Sequence, residues 1–140
     1  MAILQIILNG LTYGALLFVV ASGFTLIFGL ARVVNLSHGA FYMFGGYVGY
    51  SVCVWAQHLM QTRNSGLAWT AGVLAAGLAG ALLALVLSWL LKAVKGELPQ
   101  TLLTLGLAIM VGDICLWIWG GLPVTLAVPR ALKSPVEFFG

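Results

Sequence analysis

"ILQIILNGLTYGALLFVVASGFTLIFGL", residues 3–30, is a run of 28 positions without one charged side chain. As an α-helix rising 1.5 Å per residue it reaches about 42 Å, more than the ~30 Å hydrocarbon core of a bilayer. Such a helix tilts or continues past the core. The stretch has no basic segment before it and is too long for a secretory leader, so it is expected to be a retained membrane span.

The rest of the chain agrees. Of its 140 residues, 62% are hydrophobic and 6% charged. Soluble domains carry about a quarter charged residues, and a chain this short has too little interior to hide so much apolar surface. The expected fold class is therefore all-α, a polytopic membrane protein with about four transmembrane helices. Beyond residues 3–30 the expected spans are 39–60, 67–91 and 98–119, followed by a Pro/Gly-rich loop tail over 120–140. Residues 1–140 thus form a single transmembrane domain. Pro99 suits the first turn of the fourth helix, where a missing N–H costs nothing. Trp55, Trp69, Trp89, Trp117 and Trp119 all fall near helix ends, where indole rings settle at the membrane interface.

The net charge of +3 is spread over Arg32, Arg63, Lys92, Lys95, Arg130 and Lys133. Nucleic-acid binding needs clustered cations, so none is expected. The basic residues punctuate the spans, three on each side, and the positive-inside rule is balanced. The short "LLKAVKGELP" loop, with two lysines, is placed inside, which puts the N-terminus outside. Cys53 and Cys115 fall within spans, without metal-ligand or CxxC spacing, and read as small buried hydrophobes. No metal site, no cofactor and no phosphate-binding GxxxxGK[ST] motif is expected, so any ATP-driven role needs an ATPase on another chain.

Small residues recur every fourth position along the third span: Ala68, Gly72, Ala76, Gly80, Ala84 and Ser88. Gly45 and Gly49 repeat the spacing in the second. In lipid, helices associate by close van der Waals approach, which small residues permit. Gly45, Gly49, Gly72, Ala76, Gly80 and Ala84 are therefore expected in helix packing, although any Ala/Gly-rich helix yields such ridges by chance.

The polar residues between the first two spans, Asn35, Ser37, His38 and Gly39, have two compatible readings. They break the helix beside a polar pathway, or Asn35 or Ser37 caps the second helix. His38 and Tyr42 lie one turn apart and share a face. Asn9 and Asp113 are further polar candidates within spans. A carboxylate at membrane depth usually faces a bundle interior or water, though Asp113 is close enough to a Trp-marked end to reach the interface. Ser22 with His38 would be a nucleophile–base pair only within hydrogen-bond reach and with an oxyanion hole, and no GxSxG accompanies them.

These residues carry a resemblance. "NGL" from Asn9, "GFTLIFG" from Gly23, "NLSHGAFYMFGGY" from Asn35 and "LLTLGLAIMVGD" from Leu102 resemble the LivH-type permeases of branched-chain amino acid ABC transporters. That family includes permeases for urea and short-chain amides. The resemblance implies an inner-membrane subunit that pairs with a second permease subunit, is driven by cytoplasmic ATPase subunits and receives a small-molecule substrate from an extracytoplasmic binding protein. It also implies that Asn35, Ser37, His38 and Gly39 shape the translocation path. Family permeases are about twice as long, so the chain is expected to be an N-terminal half without the ATPase-coupling loop. The segment before the "TLGL" span, "KAVKGELPQ", is also shorter than the family's Arg/Pro-rich one. The rival reading is a non-transporting helical assembly protein or inactive fragment, which would tolerate His38→Ala and Asn35→Ala.

Overall fold

A computed structural model describes residues 2–32, 34–60 and 66–126. They form four α-helices in chain order: α1 Ala2–Ala31, α2 His38–Leu59, α3 Gly66–Ala93 and α4 Glu97–Trp119. The helices fall on the four expected segments. A helix suits a chain in lipid, because each backbone group then finds its partner within the same segment. Residues 120–126 have no regular structure. The remaining tail lies outside the described residues, as do Arg63, Arg130 and Lys133 from the charge balance.

The helix ends show how the chain turns. At the end of α1 the Arg32 N–H donates to the Phe28 carbonyl at 2.9 Å, with Arg32 at φ 52°. This left-handed cap is normally glycine's place; a residue with a Cβ pays roughly 1–2 kcal/mol for it. Between α3 and α4, Gly96 adopts φ 104°. The Gln100 amide nitrogen reaches back to the carbonyls of Val94 at 2.8 Å and Leu91 at 3.3 Å. The Leu91 carbonyl also accepts the Val94 N–H at 3.3 Å, so one side chain shares the carbonyls at the end of α3 and in the turn that follows, and fastens α4 to them. Pro99 stands in the first turn of α4.

α1, α3 and α4 are long and apolar enough to cross a membrane. α2 has the length, 22 residues, but carries His38, Tyr42, Tyr47, Tyr50, Ser51, Gln57 and His58. Its place explains the difference: α2 packs along α3 and also against α4, whereas α3 and α4 barely meet. A central helix touches protein on more sides, and two of its polar side chains use that: Ser51 accepts from Trp119 and Tyr47 stacks on it.

The α2–α3 seam is built from missing side chains. A Cβ on Gly49 would stand 2.9 Å from the Gly72 carbonyl oxygen, and one on Gly72 would stand 2.8 Å from the Gly49 carbonyl oxygen. Gly45 approaches the Ala76 carbonyl in the same way, at 3.2 Å. The backbones therefore lie in direct contact. Cys53, Ala56 and Ala68 extend the seam as a buried cluster, with Trp69 and Leu126 against it.

α4 is fastened to α2 by Trp119. Its indole N–H donates to the Ser51 hydroxyl at 2.7 Å. Its ring stacks on Tyr47 at 5.1 Å between centroids and meets Phe44 edge-on at 6.3 Å. Trp119 is thus a packing residue as well as an end marker, while Trp55, Trp89 and Trp117 are exposed. α1 stands apart: none of its apolar window is buried in the molecule.

Gly49→Ala and Gly72→Ala each force backbone apart and are expected to destabilise the fold by about 1–3 kcal/mol. Gly46→Ala and Gly77→Ala place a methyl where nothing lies within 4 Å. Thermal unfolding in detergent followed by circular dichroism checks this: only the first pair lowers Tm.

Candidate functional site

The link from α1 to α2 is a buried polar knot. The Asn35 side-chain oxygen accepts from the Ser37 backbone N–H at 3.0 Å and from the Ser37 hydroxyl at 2.6 Å. An Asn side chain bonding two residues on closes a local turn that mimics a backbone turn. Ser37 occupies the N-cap of α2, yet its side chain makes no capping bond, because the hydroxyl is committed to Asn35. The Ser37 carbonyl accepts the Phe41 N–H at 3.0 Å and so begins the helix.

The knot is anchored from α4 by a residue the sequence did not single out. Thr104 is fully buried, and its hydroxyl oxygen accepts the Leu36 N–H at 3.1 Å. The hydroxyl proton points to the Thr101 carbonyl at 2.8 Å or the Val34 carbonyl at 3.2 Å. In "TLLTLG" a lone threonine in an apolar helix ordinarily bonds only to its own preceding turn. Its second partner lies 68 positions away in the chain, and no local pattern signals that.

From this anchored start, α2 directs its first two turns toward a groove of about 620 Å³ between α1, α2 and α3. His38, Phe41 and Tyr42 line one wall with Ile27 of α1; Gly45, Gly46, Ala76, Gly77, Gly80, Ala81 and Ala84 line the rest. His38 and Tyr42 thus share a face. The His38 ring also lies over Gly23 of α1, where a Cβ would be 3.0 Å from Nε2.

The structure therefore divides the expected residues. Asn35 and Ser37 are buried, and Thr104 joins them. His38 and Tyr42 meet in the groove, while Gly39 is exposed with open space around it. Gly45, Gly49, Gly72 and Ala76 meet across the seam. Gly80 and Ala84, expected in the same packing ridge, line the groove instead, and Gly80 has nothing within 4 Å of its missing Cβ. The reason is geometric: α2 and α3 approach closely only as far as Gly45 and Ala76, then leave space. Asn9 and Asp113 are exposed on α1 and α4. Asp113, read either as facing a bundle interior or water or as reaching the interface, lies on the face opposite Thr104, Val111 and Cys115, the buried stripe of its own helix. The Ser22 hydroxyl donates to the Val19 carbonyl of its own helix at 2.9 Å, which occupies its proton within α1. Among the described residues no group of His, Cys, Asp and Glu is placed to hold a metal ion.

Four helices, three of them long and apolar enough to cross a membrane, define a polytopic helical membrane protein. Residues 6–139 match the family described as the permease component of the branched-chain amino acid transport system. The chain belongs to that family, whose members are transport subunits rather than enzymes, and it is a multi-pass protein of the inner membrane. It is 34% identical over 79 residues to the high-affinity branched-chain amino acid permease protein LivH of Escherichia coli K12, a stretch covering 56% of this chain and 24% of that protein. Over 47 residues it is 38% identical to the corresponding protein BraD of Pseudomonas aeruginosa, covering 34% of this chain and 15% of the relative. The matches thus span a quarter or less of these relatives' lengths. No solved structure matches.

Thr104→Val keeps the shape but removes the partner of the half-buried Leu36 N–H, so a loss of about 0.5–1.5 kcal/mol is expected, the net worth of one hydrogen bond. Thr104→Ser retains the hydroxyl and recovers most of it. Hydrogen exchange at Leu36 and Ser37, followed by mass spectrometry, checks both: protection falls in the valine variant and persists in the serine one.

Proposed function

We propose that this chain forms part of the translocation pathway of an ABC importer for branched-chain amino acids. The observation that carries the reading is the groove in which His38 and Tyr42 face a floor of glycine and alanine. An aliphatic amino acid presents two demands, apolar contact for its side chain and hydrogen-bonding groups for its polar end. The Gly/Ala floor meets the first without side chains that would block passage. The imidazole of His38 and the phenol of Tyr42 meet the second. Asn35, Ser37 and Thr104 act one step back, holding the start of α2 so that both rings face the groove.

The family background supplies the partners of this reading: a second permease subunit, cytoplasmic ATPase subunits and an extracytoplasmic binding protein. Hydrolysis of ATP belongs to the ATPase subunits, and the substrate is delivered by the binding protein. Asp113 and Asn9 fit the same arrangement. Each places a polar group on an outward face at membrane depth, where lipid disfavours it and a neighbouring membrane subunit stabilises it.

The test is leucine uptake into proteoliposomes holding the complete transporter with its binding protein. His38→Ala and Tyr42→Ala are expected to lower uptake about tenfold or more, equivalent to ~1.4 kcal/mol or more, while ATPase subunits still co-purify. Ser88→Ala, whose hydroxyl only donates to the Leu85 carbonyl, leaves uptake unchanged. Normal uptake in both groove variants would rule the pathway reading out and favour a role in assembly alone.

A further inference from the structure

A second cavity lies apart from the groove, at the end of the molecule where α1 finishes and α4 begins. Its volume is about 660 Å³, and Phe28, Gly29, Arg32, Val34, Glu97, Leu98 and Thr101 line it. Arg32 follows the last turn of a helix long enough to cross the membrane, and Glu97 opens another. Both charges therefore stand at the level of the lipid headgroups. Lys92 and Lys95, at the end of α3 and in the turn before Glu97, add positive charge nearby.

The lining is mixed in a specific way. It offers one cation, one anion and three apolar side chains, Phe28, Val34 and Leu98. No ion pair joins Arg32 to Glu97 among the described residues. The Thr101 hydroxyl is already spent on the Glu97 carbonyl at 2.8 Å. Arg32 also holds a left-handed backbone, φ 52°, that glycine would adopt with less strain. The turn itself thus has no need of an arginine side chain, and a non-glycine residue kept in that conformation points to a use for its side chain.

We propose that this cavity binds a zwitterionic phospholipid with a primary ammonium group. The Arg32 guanidinium takes the phosphate through charge-assisted hydrogen bonds, and the Glu97 carboxylate takes the ammonium. Phe28, Val34 and Leu98 cover the first methylenes of the acyl chains. The membrane source is favoured over a soluble zwitterion by α1, which forms one wall and has none of its apolar window buried in the protein. A lipid reaches the cavity sideways along that exposed helix.

The experiment uses the protein purified in the complex it forms in its membrane and placed in nanodiscs of equal phosphatidylethanolamine, phosphatidylcholine and phosphatidylglycerol. After detergent extraction, the retained lipid is quantified by native mass spectrometry. Phosphatidylethanolamine is expected to be enriched over both other lipids. Arg32→Gly should reduce its retention by about fivefold or more with no fall in Tm, because glycine suits the cap. Glu97→Gln should abolish the preference over phosphatidylglycerol, which carries the test independently of the arginine variant. Equal retention of all three lipids, unchanged retention in both variants, or a fall in Tm in Arg32→Gly would overturn the proposal. So would displacement of the lipid by free leucine or inorganic phosphate, which would assign the site to a soluble ligand. None of these readouts involves transport, so the result stands or falls separately from the pathway reading.

Discussion

The contact of α2 with α3 at Gly49 and Gly72 is the constraint on which the arrangement rests. In a bilayer there is no hydrophobic gain from pressing two apolar helices together, since lipid tails are equally apolar. Attraction comes from many short-range contacts, and these grow only if the backbones come close. Two glycines facing each other, each within 2.9 Å of the other's carbonyl if a Cβ were added, allow that approach. The rest follows from α2 being held there. α4 is fastened to it through Trp119 and Ser51, and the groove opens where α2 and α3 begin to part, beyond Gly45 and Ala76.

A second, polar constraint sets the direction in which α2 begins. Asn35 and Ser37 close a turn, and Thr104 binds that turn to α4. Burial makes these bonds consequential: Ser37 and Thr104 have no measurable exposure, so each polar atom must find its partner inside the protein. Seam and knot together hold one helix at two places. His38 and Tyr42, between them, are positioned by both.

α1 contrasts with this. It contributes the wall of the groove through Ile27 and a seat for His38 at Gly23, yet most of its surface is exposed. An apolar helix surface of this kind is at home against lipid acyl chains, because every backbone polar group is satisfied within the helix.

What could be read from the residues alone was the membrane class, the four helices and the polar break before α2, because these depend on local composition: uncharged runs, Pro99 at a helix start, the cluster Asn35–Gly39. The small-residue spacing also marked a face of α3. What the spacing could not say was where along that face the partner sits, since Gly72 and Gly80 look alike in sequence and only the crossing point of two helices distinguishes them. Thr104 likewise looked like any threonine in an apolar helix. Its role arises because folding brings Leu36, 68 residues earlier, within hydrogen-bond reach. Asp113 was legible as unusual, but the face it occupies was decided by which side of α4 turned toward α2. Local chemistry determined the elements of this protein; the surroundings of Gly80, Thr104 and Asp113 were left to tertiary structure, because contacts distant in sequence exist only once the helices have crossed.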